Sequence, residues 1–236
     1  PEQILITAGS SSGLGTICDA LIDPGDTVLL DAPAWMGATM IFRLAGAEMI
    51  GIPIDEHGID PDRVASVLDR LEREGRRPKF LYTLPTFQNP AGVELSVERR
   101  KALARLADER GLLIVEDDAY YELRFRGEYP PTIYSLAKPG NVLYCGTLSK
   151  TIAAGLRLGY IVGPEPVVAA LSRARVDSLR NSFSAALADW YLRTGKYSAH
   201  LDELRRIYQQ KCDHMLRALE REMPDGVSWT KPNGGF

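Results

Sequence analysis

The chain has 236 residues, 45% of them apolar and a quarter charged, with a formal net charge of −3. That balance suits one large globular domain, or one domain with part of a second, and offers no broad basic surface for nucleic acid or an anionic membrane. The three cysteines, Cys18, Cys145 and Cys212, are odd in number and far apart, which points to neither a disulfide framework nor a zinc site and fits a reducing cytoplasm. No long apolar run marks a signal peptide or a membrane span, so a soluble cytoplasmic protein is expected. Pro1 stands where an initiator methionine belongs and the sequence stops at KPNGGF, so a segment of something longer is expected.

In chain order, the strand ILIT (Ile4 to Thr7) runs directly into AGSSSGLG (Ala8 to Gly15), which opens a helix continuing as TICDALI. Backbone amides and the hydroxyls of Ser10, Ser11 and Ser12 at a helix start form a site for a phosphate. The spacing Gly9, Gly13, Gly15 does not fit GxGxxG, and no lysine follows as in a P-loop; a serine-rich turn that only caps the helix accounts for the same residues. The next strand, TVLL (Thr27 to Leu30), is followed by the aromatic Trp35, and DRVASVLDRLERE (Asp62 to Glu74) reads as a helix.

KFLYTL (Lys79 to Leu84) is a strand that delivers TLPTFQNPAGVELS (Thr83 to Ser96), where Pro90 and Gly92 hold the Asn89 amide on a rigid turn. A plain Asn-Pro turn without a ligand is the alternative. Ser96 and Arg99 open a helix in which Leu103, Leu106 and Ala107 share a face, and Gly111 sits at its C-cap. LLIVE (Leu112 to Glu116) then runs into Glu116, Asp117 and Asp118 at a sheet edge, where α/β folds bind ligands. A carboxylate there could hold a metal, act as a base or pair with a protonated ring nitrogen; His57, His200 and His214 are all distant in sequence, which weakens the metal reading.

After the strand VLYC (Val142 to Cys145) comes GTLSKTIAAGLRLG, with Lys150 among Leu148, Ile152, Ala153, Ala154 and Leu156. Burial among such residues disfavours the ammonium and makes the amine nucleophilic. Arg157, seven residues on, can return to the same place as a bidentate phosphate partner, unless the two cations sit on separate solvated faces. LGYIVG (Leu158 to Gly163) is the last strand expected. This alternation predicts a three-layer α/β domain with a mostly parallel sheet covered on both faces. From Pro166 to Met223 the sequence is helix-compatible, with breaks near Arg180 to Ser184 and Thr194 to Ser198 and a long charged helix from Ala199 to Glu222. The division expected is a cofactor-binding large domain over residues 1–195 and, over 196–236, a linker helix with the beginning of a small domain.

Taken together, the serine-rich helix start, Trp35, Asn89, the Asp117/Tyr120 pair and Lys150 with Arg157 resemble the fold-type I pyridoxal phosphate enzymes of the class I/II aminotransferase superfamily, over essentially the whole chain. Within it the likeness is strongest to the 2-aminoadipate and kynurenine aminotransferase branch. The resemblance implies pyridoxal 5′-phosphate as cofactor, with Lys150 as its covalent anchor and proton-transfer base. It also implies that Asp117 holds the pyridine nitrogen protonated and that Tyr120 and Asn89 bond the phenolic oxygen. Ser10, Ser11, Ser12, Thr147, Ser149 and Arg157 would surround the phosphate, and Trp35 would stack on the ring. Thr147 keeps a hydroxyl where relatives often have Ser, while Ser11 and Ser12 stand where glutamines are common. An amino acid and a 2-oxo acid as substrates and a homodimer follow from the same likeness, while no metal is expected, because no histidine or CxxC pair accompanies the carboxylates. So does a carboxylate-clamping arginine lying beyond Phe236, which makes weak or no turnover the expectation for this segment alone. Three functions share these residues: an aminotransferase, a pyridoxal phosphate β-lyase or decarboxylase, and the effector domain of a MocR-type transcription regulator.

Overall fold

The structure, a computed structural model, describes residues 2–174 and 181–236. Its strands are β1 (Ile4–Thr7), β2 (Thr27–Ala32), β3 (Glu48–Asp55), β4 (Gly58–Ile59), β5 (Phe80–Thr83), β6 (Ile114–Asp117), β7 (Val142–Thr147) and β8 (Gly159–Val162). They form one sheet in the order β1-β8-β7-β6-β5-β2-β3-β4. β3, β2, β5, β6 and β7 run parallel. β8 is antiparallel to both β7 and β1, and β4 folds back antiparallel on β3.

Every residue of β5 and of β6 is buried, as expected of central strands covered on both faces, whereas β1 at the edge alternates exposed and buried. Alternation along the strands sorts the core into two layers. Phe80, Tyr82, Val115 and Leu143 point to the side packed by α1 (Ser10–Leu21), α2 (Met36–Leu44) and α6 (Glu165–Ala174). Leu81, Ile114 and Val142 point to the side of α3 (Pro61–Arg73), α4 (Val97–Arg110) and the short α5 (Ile133–Leu136). This is the three-layer α/β domain that the alternation predicts.

The helix boundaries follow local chemistry. Asp60 caps α3 by accepting from the Asp62 amide, with Pro61 at the first helical position. Ser96 accepts from the Arg99 amide at 3.3 Å to start α4, and Gly111, in the left-handed region at φ 59°, ends it. Leu103 and Ala107 are buried and Leu106 is half-buried, as their shared face requires. β3 and β4 were not anticipated: EMIGIPID carries a glycine and a proline and lies half-exposed beyond β2, so it lacks the continuous apolar signature of the central strands.

Beyond β8, α7 (Ser182–Arg193) is capped by Asn181, and α8 (Tyr197–Glu222) follows after the break expected near Thr194. The other expected break, near Arg180, falls partly outside the described residues. α8 is a long helix with Leu201 as its buried residue. The chain then returns to the segment that follows β6. The amides of Phe125 and Arg126 donate to the Asn233 carbonyl at 3.0 and 3.1 Å, and the Gly235 amide donates to the Leu123 carbonyl at 3.2 Å. Among the described residues no helix is long and apolar enough to cross a membrane.

Candidate active site

β5, β6 and β7 end at one edge of the sheet, and the segments leaving it carry Asn89, Asp117 to Tyr120, and Lys150. Asp117 is the last residue of β6 and only 2% exposed. From the neighbouring strand, the Tyr82 hydroxyl donates to its Oδ2 at 2.9 Å, while Oδ1 is buried without a hydrogen-bond partner. Burial pushes the Asp117 carboxyl up to about 6, against the Tyr82 hydroxyl, the Ala119 amide and the nearby Lys150 charge, which pull it down. Burial and Asp117 together raise the Tyr82 phenol, so it stays a donor.

The three consecutive carboxylates do not converge on a metal. Glu116 accepts from the Ile133 and Tyr134 amides at 2.8 Å each, on the α5 side, whereas Asp117 faces Tyr82 on the other. Burial raises both Glu116 and Asp118, and the Glu116 carboxylate raises Asp118 further. Among the described residues no group of three or more His, Cys, Asp or Glu side chains is placed to hold a metal ion.

Tyr120 lies just past β6, and the Asn89 side-chain amide donates to its hydroxyl at 3.4 Å. The Lys150 Nζ stands 5.9 Å from the Tyr120 ring centroid and 5.2 Å from that of Phe236. Phe236 in turn meets Tyr120 edge-on at 5.6 Å and stacks on Tyr208 at 5.3 Å. Lys150 is half-buried, and Ala153 and Ala154 are exposed, which corrects the sequence expectation. Aromatic faces and the field of Asp117 surround the amine, in place of the apolar residues adjacent in sequence.

The second half of the site forms where β8 meets the start of α1. Gly9 has φ 87°, and a Cβ added there would lie 2.6 Å from Arg157 Nη2, so the guanidinium rests on its backbone. A Cβ on Gly159 would lie 2.6 Å from both the Gly9 carbonyl carbon and the Ser10 nitrogen. Two glycines are thus what lets β8 approach the helix start. No side chain caps α1, whose first turn holds the half-buried Ser10, Ser11 and Ser12. The Ser149 hydroxyl is buried without a hydrogen-bond partner. Thr147 behaves differently: its hydroxyl donates to the Leu158 carbonyl at 2.9 Å and accepts from the Ser149 amide at 3.1 Å. Its proton is therefore committed to bracing the Lys150 loop.

An orphaned buried carboxylate oxygen at one end, and an uncapped helix start, a free hydroxyl and a guanidinium at the other, suit a ligand with a cationic ring N–H and an anionic group. Asn89, Asp117, Tyr120 and Lys150 are brought together as expected, and Ser10 to Ser12, Ser149 and Arg157 have the required donor chemistry. Trp35 stands at the N-cap position of α2, where its ring covers Gly37 and packs against the core. Sequence reasoning missed Tyr82, Tyr208 and Phe236; the aromatic after the glycine pair was visible, but nothing local ties it to Tyr120.

A family profile described as "Aminotransferase class I and II" matches residues 1–236. The chain belongs to the class I and II aminotransferases. It is 41% identical to aromatic-amino-acid aminotransferase 1 of Thermococcus litoralis over 236 residues, covering 99% of this chain and 57% of the relative. The crystal structure of the α-aminoadipate aminotransferase LysN from Thermus thermophilus, complexed with N-(5′-phosphopyridoxyl)-L-leucine, superposes with a TM-score of 0.92 at 38% identity, covering 100% of this chain and 60% of that one. A Bacillus subtilis protein named as an uncharacterized HTH-type transcriptional regulator, YdfD, is 37% identical over 100% of this chain and 48% of its own length. The chain thus spans less than two thirds of the aminotransferases that it resembles.

Proposed function

We propose that this chain is the cofactor-binding part of a pyridoxal 5′-phosphate-dependent aminotransferase that moves an amino group between an amino acid and a 2-oxo acid. The observation that carries the reading is the convergence of the Lys150 amine and the orphaned Asp117 Oδ1 on one sheet edge. When bound, the cofactor supplies an aldehyde that condenses with an amine and a cationic ring that accepts electrons from the substrate Cα. In this reading Lys150 anchors the cofactor and carries the proton to and from Cα. Asp117, held by Tyr82, keeps the ring nitrogen protonated; its own carboxyl, raised by burial, is lowered again once a cation sits beside it. Asn89 and Tyr120 address the phenolic oxygen, and Ser10 to Ser12, Ser149 and Arg157 hold the phosphate.

The same reading retains a large domain over 1–195 and a linker with the start of a small domain over 196–236. It also includes a homodimer, supported by the exposed apolar residues Phe183, Leu187 and Trp190 on α7 and Met36, Met40 and Leu44 on α2. The free thiols of Cys18, Cys145 and Cys212 support a cytoplasmic setting. The second reading, a regulator's effector domain, is favoured by the likeness to YdfD.

One experiment tests the assignment and separates the two. Reduction with borohydride in the presence of pyridoxal phosphate is expected to fix the label on Lys150, and Lys150→Ala to lose it. Without borohydride, incubation of the whole protein that contains this chain with amino acids yields pyridoxamine phosphate and an oxo acid for a transferase, and a spectral change without product for a sensor. Label on other lysines alone sinks both.

A further inference from the structure

Arg100 lies on α4 within ERRK, a run that reads as solvated helix surface, yet its side chain is 0% exposed. Its Nε donates to the Leu95 carbonyl at 3.0 Å, and its Nη2 donates to the Pro85 carbonyl and the Thr86 hydroxyl, both at 3.0 Å. Its Nη1 donates to the Pro131 carbonyl at 3.4 Å and lies 3.8 Å from Glu116, while Glu94 lies 3.9 Å from Nη2. The Leu95 amide also donates to the Pro85 carbonyl at 2.8 Å, which makes these residues the neck of a loop whose tip presents Asn89. Glu116 immediately precedes Asp117. One planar fork therefore joins the base of the Asn89 loop to the strand that carries the ring-binding carboxylate.

We propose that Arg100 is a positioning residue for the ring end of the site, clamping the neck from Pro85 to Leu95 against β6 so that Asn89 stands against Tyr120 beside Asp117. A lysine keeps a charge near Glu116 but cannot donate to acceptors spread over Pro85, Leu95 and Pro131 at once. The clamp itself is a property of this chain; its effect on cofactor affinity rests on the pyridoxal phosphate reading.

Two arms keep these apart. In the ligand-free protein, hydrogen exchange of the Gln88, Ala91 and Gly92 amides, all hydrogen-bonded within the loop, is compared with that of the remote β3. Arg100→Lys is expected to speed the loop amides about tenfold and leave β3 unchanged, the loss of roughly one buried hydrogen bond. Thr86→Val, which removes one of the Arg100 acceptors together with a hydroxyl beside Asp118 and leaves Arg100 in place, is expected to give a smaller effect on the same amides, and it carries this arm should Arg100→Lys not fold. In the second arm, pyridoxal phosphate is titrated by its visible band. Arg100→Lys is expected to weaken binding about tenfold, with little further loss when Asn89→Ala is added, because both changes remove one interaction. Uniform acceleration of exchange across the sheet, or unchanged loop exchange in both variants, overturns the clamp. Faster loop exchange with full cofactor affinity overturns its link to the site. If the wild type binds no pyridoxal phosphate, the site reading fails and the exchange arm alone judges the clamp.

Discussion

At the ring end of the site, Asp117 and Tyr82 are almost fully buried between parallel strands, and the groups around them are fixed by packing on both faces of the sheet. At the anion end, Arg157 is exposed, Ser10 to Ser12 are half-buried, and the geometry comes from two glycines that let backbones touch. The first is bound up with the stability of the domain; the second can be altered with little cost to the fold wherever the glycines are left alone. Substitutions that keep the packing at the ring end, or that spare the glycines at the anion end, should therefore touch function more than stability.

The largest effect is expected from Asp117→Asn. Losing the negative charge beside the ring nitrogen should cut amino transfer by roughly 1,000-fold in the enzyme that contains this chain. Stability in urea at pH 7 should not fall, because burial already disfavours the ionised carboxyl. A stability loss larger than that of an ordinary core substitution would make Asp117 a structural brace and blur the contrast.

Next in size is a pH effect. Burial raises the Asp31 and Asp117 carboxyls to about 6, whereas each has the ordinary lower value in the unfolded chain. Between these values the folded state binds more protons, so this contribution to stability is fully present below pH ~4 and lost as pH rises through ~6, on the order of 3 kcal/mol per group. Urea unfolding of the ligand-free chain at pH 5 and pH 7 should show it, and Asp31→Asn should flatten the slope. A slope of opposite sign would show that the exposed ion pairs outweigh the buried edge.

Gly9→Ala probes the seam at the anion end. The residue has φ 87° and ψ 165°, a glycine region, and the new methyl would press on Arg157. A loss of about 2 kcal/mol is expected from thermal or urea unfolding, together with weaker pyridoxal phosphate binding. The smallest effect belongs to Arg157→Ala: cofactor affinity about tenfold lower by titration, with the melting temperature of the ligand-free chain unchanged. A lowered melting temperature would mean that the guanidinium supports the fold as well as the ligand.

The central strands were readable because continuous apolar runs such as FLYT report burial on both faces, and the caps Ser96 and Gly111 because capping is local chemistry. Lys150, Asp117 and Asn89 stood out because each lies at or just past a strand end at the edge where such sheets bind ligands, while Tyr120 entered only through the family resemblance. Arg100 was not, since whether a helical arginine is solvated or buried depends on the Asn89 loop folding over it, a relation with no sequence period. Thr147 was seen as a hydroxyl among hydroxyls, but only the pairing of β7 with β8 assigns its proton to Leu158. Phe236 and Tyr208 reach the site from α8 and the segment after it, and no pattern near Tyr120 announces them.

The antiparallel insertion of β8 has a consequence for how the site comes into being. Lys150, Ser149 and Arg157 sit on one hairpin loop closed by the pairing of Thr147 with Gly159, a local event in chain terms. Gly9 and the start of α1 reach that loop only when β1 pairs with β8 across most of the sequence, Thr7 against Gly159. Local closures run ahead of distant ones during folding, because distant ones carry the larger loss of chain entropy. The lysine loop should thus be shaped before its anion cradle exists, and pulse-labelled exchange during refolding should find β7 and β8 protected earlier than β1. Cofactor capture is then a late event, available only to chains in which β1 has already joined β8.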